Sequence, residues 1–131
     1  MSQQSNIDTI RRGYAAFSAG DMDTLRNDVF TPDAVWVVPG NGYFSGAKEG
    51  VDAILQFFAD IFERSGGTLQ VVLDDVAAGD DHCYSLHRNV AMRSERSLDL
   101  RSVLVFDMVD GRIAMVSQYY WDTMDNDEFW A

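Results

Sequence analysis

Three side chains in this sequence of 131 residues have the type and setting to move a proton or hold an oxygen: Asp122, Arg88 and Tyr14. Asp122 closes the run "RIAMVSQYYWD", in which strand alternation puts Val116, Gln118, Tyr120 and Asp122 on one face. If that face turns inward, a carboxylate ringed by Trp36, Tyr120 and Trp121 loses water. Its pKa then climbs toward the range useful for taking a proton from a carbon next to a carbonyl. The other reading is a hydrated polar stop at the end of a strand. Arg88 sits mid-strand between apolar neighbours, and on the inner face it needs Asp122, Asp99 or a ligand oxygen as partner, because an unpaired buried guanidinium is too costly. Alternatively it stretches across the sheet to an outer acid.

The remaining reactive residues point away from several chemistries. His82 and His87 are five apart on one strand, so they face opposite sides and cannot share a metal. Alternation puts His87 opposite Arg88, on the outer face, in a structural or interface role. Cys83 is the only cysteine, which excludes an internal disulfide and a cysteine cage. Neither a glycine-rich phosphate loop nor an HExxH helix occurs, so no metal or cofactor is expected. With 21 acidic against 10 basic residues the net charge is −11, a field that repels phosphate backbones and anionic headgroups. No apolar run is long enough to cross a membrane, and "MSQQSNIDTI" lacks a signal peptide's basic and apolar regions. The expectation is one domain, 1–131, in the cytoplasm, with neither nucleic acid nor membrane as partner.

The elements that must position these residues follow from periodicity. Ile7, Ile10, Tyr14 and Phe17 recur at helical spacing, with Ser5 or Asn6 as N-cap and Gly20 as stop. Gly13 inside that helix costs about 1 kcal/mol relative to Ala, which suggests close packing there. A short helix is expected over 22–27, and "EGVDAILQFFADIFERSGG" carries the broad stripe of a third. A short strand, 34–38, puts Trp36 and Val38 on one face. Strands are then expected over 68–77, 82–93, 98–108 and 112–122, separated by "AGDD", "SER" and "VDGR". Helices first and a sheet afterwards give the α+β class. The curved antiparallel sheet wraps the three N-terminal helices as a cone with an open end. The acidic tail ends in Phe129 and Trp130, which pin it to the body or to a second subunit.

The segments "RRGYAAFSAGDMDTLRNDVFTPDAVWVVPG", "SGAKEGVDAILQFFADIF", "LHRNVAMR" and "VLVFDMVDGRIAMVSQYYWD" together resemble the SnoaL-like branch of the nuclear transport factor 2-like superfamily. That superfamily also holds ketosteroid isomerases, limonene epoxide hydrolases and polyketide cyclases. The resemblance implies the conical fold, a pocket at its open end and a homodimer through the outer sheet face. It also implies which machinery is missing. Where the isomerases carry their base, this chain has Val38; their oxyanion-hole tyrosine matches Gly13, beside Tyr14, and their second acid falls near Leu104. Of the epoxide hydrolase set only Arg88 matches, Val90 and Gln118 standing for the acids and Trp36 and Val38 for the Tyr and Asn. The cyclases' acid near the end of the last strand corresponds to Asp122. If Gln118 faces the cavity as the hydrolase correspondence implies, Asp122 sits at its rim.

The sequence reading is therefore a small, largely apolar, carbonyl-bearing ligand in a pocket lined by Phe17, Trp36, Val38, Phe58, Leu100, Leu104, Gln118 and Tyr120. Asp122 moves the proton, and Arg88 or Tyr14 steadies the oxygen, with no cofactor. The alternative is a pocket or dimerisation module without chemistry.

Overall fold

A computed structural model describes residues 2–131. Helix α1, Gln3–Ala19, starts earlier than its apolar stripe suggests, because the Ser2 side chain accepts from the Ser5 backbone N–H at 3.0 Å. It ends at Gly20, whose φ of 68° lets its N–H reach the Phe17 carbonyl. The short α2, Met22–Thr24, runs on into a π-helical turn, Leu25–Val29, which buries Leu25 and Val29. A Cβ at Gly13 would lie 3.1 Å from Val29 Cγ1, so the glycine lets α1 approach this turn. Helix α3, Val51–Arg64, buries Val51, Ile54, Leu55, Phe57 and Phe58.

Six strands form one curled open sheet: β1 Phe30–Val38, β2 Gly46–Glu49, β3 Gln70–Ala78, β4 Cys83–Arg93, β5 Arg96–Val109 and β6 Arg112–Tyr120. Their order is β2-β1-β6-β5-β4-β3, and every neighbouring pair is antiparallel except β1 with β6. That parallel pair departs from the all-antiparallel expectation. It follows from the connection: the chain leaves β1 through β2 and α3 and returns to its flank only as the last strand. Two tight hairpins fix the register of β4–β6 through pairs of left-handed residues, Ser94–Glu95 (φ 47° and 68°) and Asp110–Gly111 (φ 51° and 79°).

The sheet's inner face carries the core. Leu98, Leu100, Leu104 and Phe106 from β5 meet Ile113 and Val116 from β6, with Ile10 of α1 and Ile54 of α3 on top. A fourth helix that the sequence reading lacked, α4 at Thr123–Trp130, follows β6 and buries Asn126, Phe129 and Trp130. Arg64 and Arg93 donate to its last carbonyls, those of Trp130 and Phe129, at 2.8 and 3.0 Å, which suits the negative end of a helix. The expectation that Phe129 and Trp130 return to the body is met through this helix.

Candidate functional site

A cavity with about 80 Å³ of free space lies between α1, α3 and the inner face of the sheet. Its wall is mostly carbon, from residues such as Ile10, Leu25, Phe30 and Leu104. Trp36, Phe57 and Phe58 pack against one another there at centroid separations between 5.3 and 6.2 Å. The partly exposed Phe17, Ile61 and Val71 border its open side.

A first polar group interrupts this wall. Strand β4 turns Ser85, His87 and Asn89 inward at successive alternate positions, all buried. Tyr14 descends on them from α1, its hydroxyl 2.7 Å from Ser85 Oγ and 2.5 Å from His87 Nδ1, with the two rings edge to face at 5.5 Å. Burial pushes the His87 pKa down to about 4, against the opposing pull of the Asn89 side chain and the Asp74 carboxylate. Burial likewise lifts the Tyr14 phenol far above the usual range, a shift the Ser85 hydrogen bond only reduces. At neutral pH both groups are therefore uncharged.

The proton count in this trio permits two arrangements. A neutral imidazole has one donor and one acceptor nitrogen. Either the Tyr14 hydroxyl donates to Nδ1, leaving the proton of the ring on Nε2, or Nδ1–H donates to the phenol oxygen while Tyr14 donates to Ser85 Oγ. The second arrangement leaves Nε2 with a free lone pair. The tautomer of the neutral ring, its one proton on Nε2 or on Nδ1, thus decides whether it meets a ligand as donor or as base.

A second set of polar atoms borders the cavity from β1, β6 and α4. Trp36 Nε1–H donates to Gln118 Oε1 at 3.1 Å, and Gln118 Nε2 donates to Ser102 Oγ at 3.2 Å. Trp130 Nε1–H donates to Asn126 Oδ1 at 3.2 Å. Tyr120 lies beside Asn126; its phenol is held well above the usual range first by burial, then by the nearby Asp127 charge.

Of the residues expected from sequence, Tyr14, Phe17, Trp36, Phe58, Leu104, Gln118 and Tyr120 line this cavity. Val38 and Leu100 are buried in the core and do not reach it. Asp122 is a correction: β6 stops at Tyr120, and the exposed Asp122 carboxylate accepts from the Asp125 N–H at 3.0 Å as the N-cap of α4. It faces solvent and cannot serve a buried reaction. Arg88 is a second correction. Its side chain is 41% exposed on the outer face, 3.5 Å from Asp99. His87 is the third, since it is 3% exposed and faces the cavity rather than an outer surface. Two facts account for all three: the facing of β4 for Arg88 and His87, and the end of β6 for Asp122. Among the described residues no group of three His, Cys, Asp or Glu side chains is arranged to hold a metal ion. No described helix is long and apolar enough to cross a membrane.

Comparisons with known proteins fit this architecture. The SnoaL-like domain family matches residues 10–116. An uncharacterised protein of Mycobacterium tuberculosis is 33% identical over the full length of both chains. The structure of Bal32a, from a soil-derived mobile gene cassette, superposes with a TM-score of 0.95 at 37% identity, covering 98% of each chain. TerC, crystallised with polyporic acid, superposes with a TM-score of 0.83 at 23% identity over 96% of this chain and 98% of its own. The curled sheet and its helices define a protein of the nuclear transport factor 2-like fold. Within it, this chain belongs to the SnoaL-like family.

Proposed function

We propose that the chain binds a small, neutral, largely apolar molecule bearing a carbonyl oxygen, and that His87 exchanges a proton with it without a cofactor. The observation that carries this reading is the Tyr14–His87–Ser85 trio at one side of a mostly carbon-lined cavity. A neutral histidine is always ready to accept a proton at pH 7, and a base of pKa near 4 is adequate in principle, since a carboxylate of pKa about 4.6 enolises ketones in a related reaction. In the step proposed, the C–H bond beside the carbonyl breaks, the proton passes to Nε2, and the electron pair moves onto the carbonyl oxygen. Return of a proton to carbon completes an isomerisation or ring-closing sequence. Tyr14 acts as a positioning residue, holding the Nδ1 proton.

The free space is roughly half the 150 Å³ of a cavity that takes up benzene, so a ring enters only as Phe17 and Ile61 at the open side give way. An ionised ligand is disfavoured by a wall with no counter-charge. That a structural relative was crystallised with polyporic acid is in keeping with an oxygenated organic ligand. The outer sheet face is proposed as a homodimer surface, because Leu86, Val90, Val103, Val105, Met115 and Tyr119 turn apolar surface outward there. The cytoplasm is the proposed location.

Cyclohexanone tests the reading. In heavy-water buffer at pH 7, the protein should raise its own melting temperature with cyclohexanone but not with cyclohexanecarboxylate, and should speed deuteration of the ketone's α-carbons. His87→Gln should abolish the exchange and keep the thermal shift. Exchange at the buffer rate removes the proton-transfer role; absence of any ketone-specific shift removes the ligand reading altogether.

A further inference from the structure

We infer that Tyr120 and Asn126 form a second contact point in the cavity, a site for one neutral carbonyl oxygen, so that the ligand carries oxygen functions on two opposite edges. The inference rests on the ligand reading above and names the class of molecule it takes.

The strand register sets the geometry. His87 on β4 pairs with Ser102 on β5, and Ser102 pairs with Tyr120 on β6, so the three stand in one row across the inner face. His87 and Tyr120 are two strand spacings apart, about 9–10 Å along the row. Ser102 between them is fully buried, donates to the Tyr119 carbonyl, accepts from Gln118, and does not reach the cavity. The cavity therefore has a polar group at each end of this row and a short, already satisfied residue in the middle.

The far end is a donor site by elimination. An indole N–H donates and never accepts, so Trp130 fixes the buried Asn126 amide with its oxygen toward the indole. The amide nitrogen is left without that partner, and Asn126 opposes the rise in the neighbouring Tyr120 pKa as a donor does. The Tyr120 hydroxyl donates to no acceptor among the described residues, so its proton is free to meet a ligand in the cavity. Gln118 repeats the arrangement: Trp36 holds its oxygen, Ser102 takes one amide hydrogen, and the second is unspent. Unspent donors on the wall of a largely apolar cavity offer a ligand oxygen a hydrogen bond that the carbon around them does not.

The charge nearby selects the kind of acceptor. Asp127 acts on Tyr120 to disfavour further negative charge. Its Oδ2 accepts from the Asn41 N–H at 3.0 Å, and Cβ atoms at Gly40 or Gly42 would come within 2.7 Å of it, so the carboxylate is held in place by the loop. A carboxylate or phosphate ligand is repelled; a ketone or quinone oxygen is accepted. The opposite edge of that molecule then meets the Tyr14–His87 group, which serves either a hydroxyl or a second carbonyl.

Three matched rings separate the outcomes: cyclohexanone, 1,4-cyclohexanedione and 4-oxocyclohexanecarboxylate, with affinities from ligand-observed NMR titration on the wild-type chain. The dione has a two-fold statistical advantage over cyclohexanone, and one added hydrogen bond contributes about five-fold more. An advantage of about ten-fold is expected, with no binding of the carboxylate. In Tyr120→Phe the ratio of dione to cyclohexanone affinity, taken within the variant, should fall to about two-fold. Equal binding of ketone and dione by the wild type, an advantage that survives Tyr120→Phe, or tight binding of the carboxylate overturns the second site and leaves the pocket standing. Binding of neither neutral ring overturns both. The wild-type comparison needs no variant to fold.

Discussion

The buried histidine makes acid stability of the fold depend on one residue, with a sign and size that can be worked out. His87 is held neutral in the folded chain with a pKa of about 4, against 6.5 for a free imidazole. As pH falls below 6.5 the unfolded chain takes up a proton at this position and the folded chain does not. The stabilisation is therefore complete above pH 6.5, shrinks between 6.5 and about 4, and is gone below that. A depression of this size corresponds to about 3 kcal/mol over the whole window and about 2 kcal/mol by pH 5. For a chain of this length that is a fall in melting temperature of roughly 8 °C between pH 7 and pH 5. The carboxylates titrate in the same range, so the comparison is with His87→Gln, which shares every other group. Urea unfolding at pH 7, 6, 5 and 4.5 should show the wild type losing stability more steeply than the variant by the amounts given. Parallel curves for the two proteins, or an imidazole NMR midpoint near 6.5 for His87, would refute the claim that the ring is buried and neutral.

Other substitutions follow from the same contacts. Asp122→Ala removes a helix cap and should cost about 1 kcal/mol in chemical denaturation while leaving cyclohexanone affinity unchanged. Arg88→Ala breaks an exposed pair, should change stability by less than about 1 kcal/mol, and should also leave affinity intact. Trp36→Phe replaces the indole with a smaller ring and takes away the donor to Gln118 Oε1, for an expected loss of about 2 kcal/mol measured by urea midpoint. Gly40→Ala forces a side chain into the left-handed region, at φ 89°, against the Asp127 carboxylate, and should lower stability by about 2–4 kcal/mol.

The α+β order, the long third helix and the two hairpins could be read from periodicity and turn chemistry. The facing of β4 could not, because "CYSLHRNVAMR" has no ordinary amphipathic pattern. Its inner set is Cys83, Ser85, His87, Asn89 and Ala91, small or polar, while its outer set includes Tyr84, Leu86, Val90 and Met92. The more apolar face is turned away from the core, since the inner one borders a cavity and bonds to Tyr14. Taking Arg88 as inward puts His87 outside by alternation, an error of one residue that reverses every side chain. The α4 helix had a signal in Asp122-Thr-Met-Asp125, an N-cap with an acid three residues on, followed by Phe129 and Trp130. It was hidden by an acidic composition that also fits a solvated tail. Strand β2, "GAKE", is short, exposed and poor in strand-forming residues, and only pairing with β1 makes it a strand.

The most direct test of the account is where a neutral ketone sits. Intermolecular NOEs from cyclohexanone to the chain, collected with methyl-labelled protein, should reach Ile10, Leu25, Ile61 and Leu104 around the cavity and the His87 ring. Contacts confined to Leu86, Val103 or Val105 on the outer sheet face, with none to those cavity methyls, would contradict it.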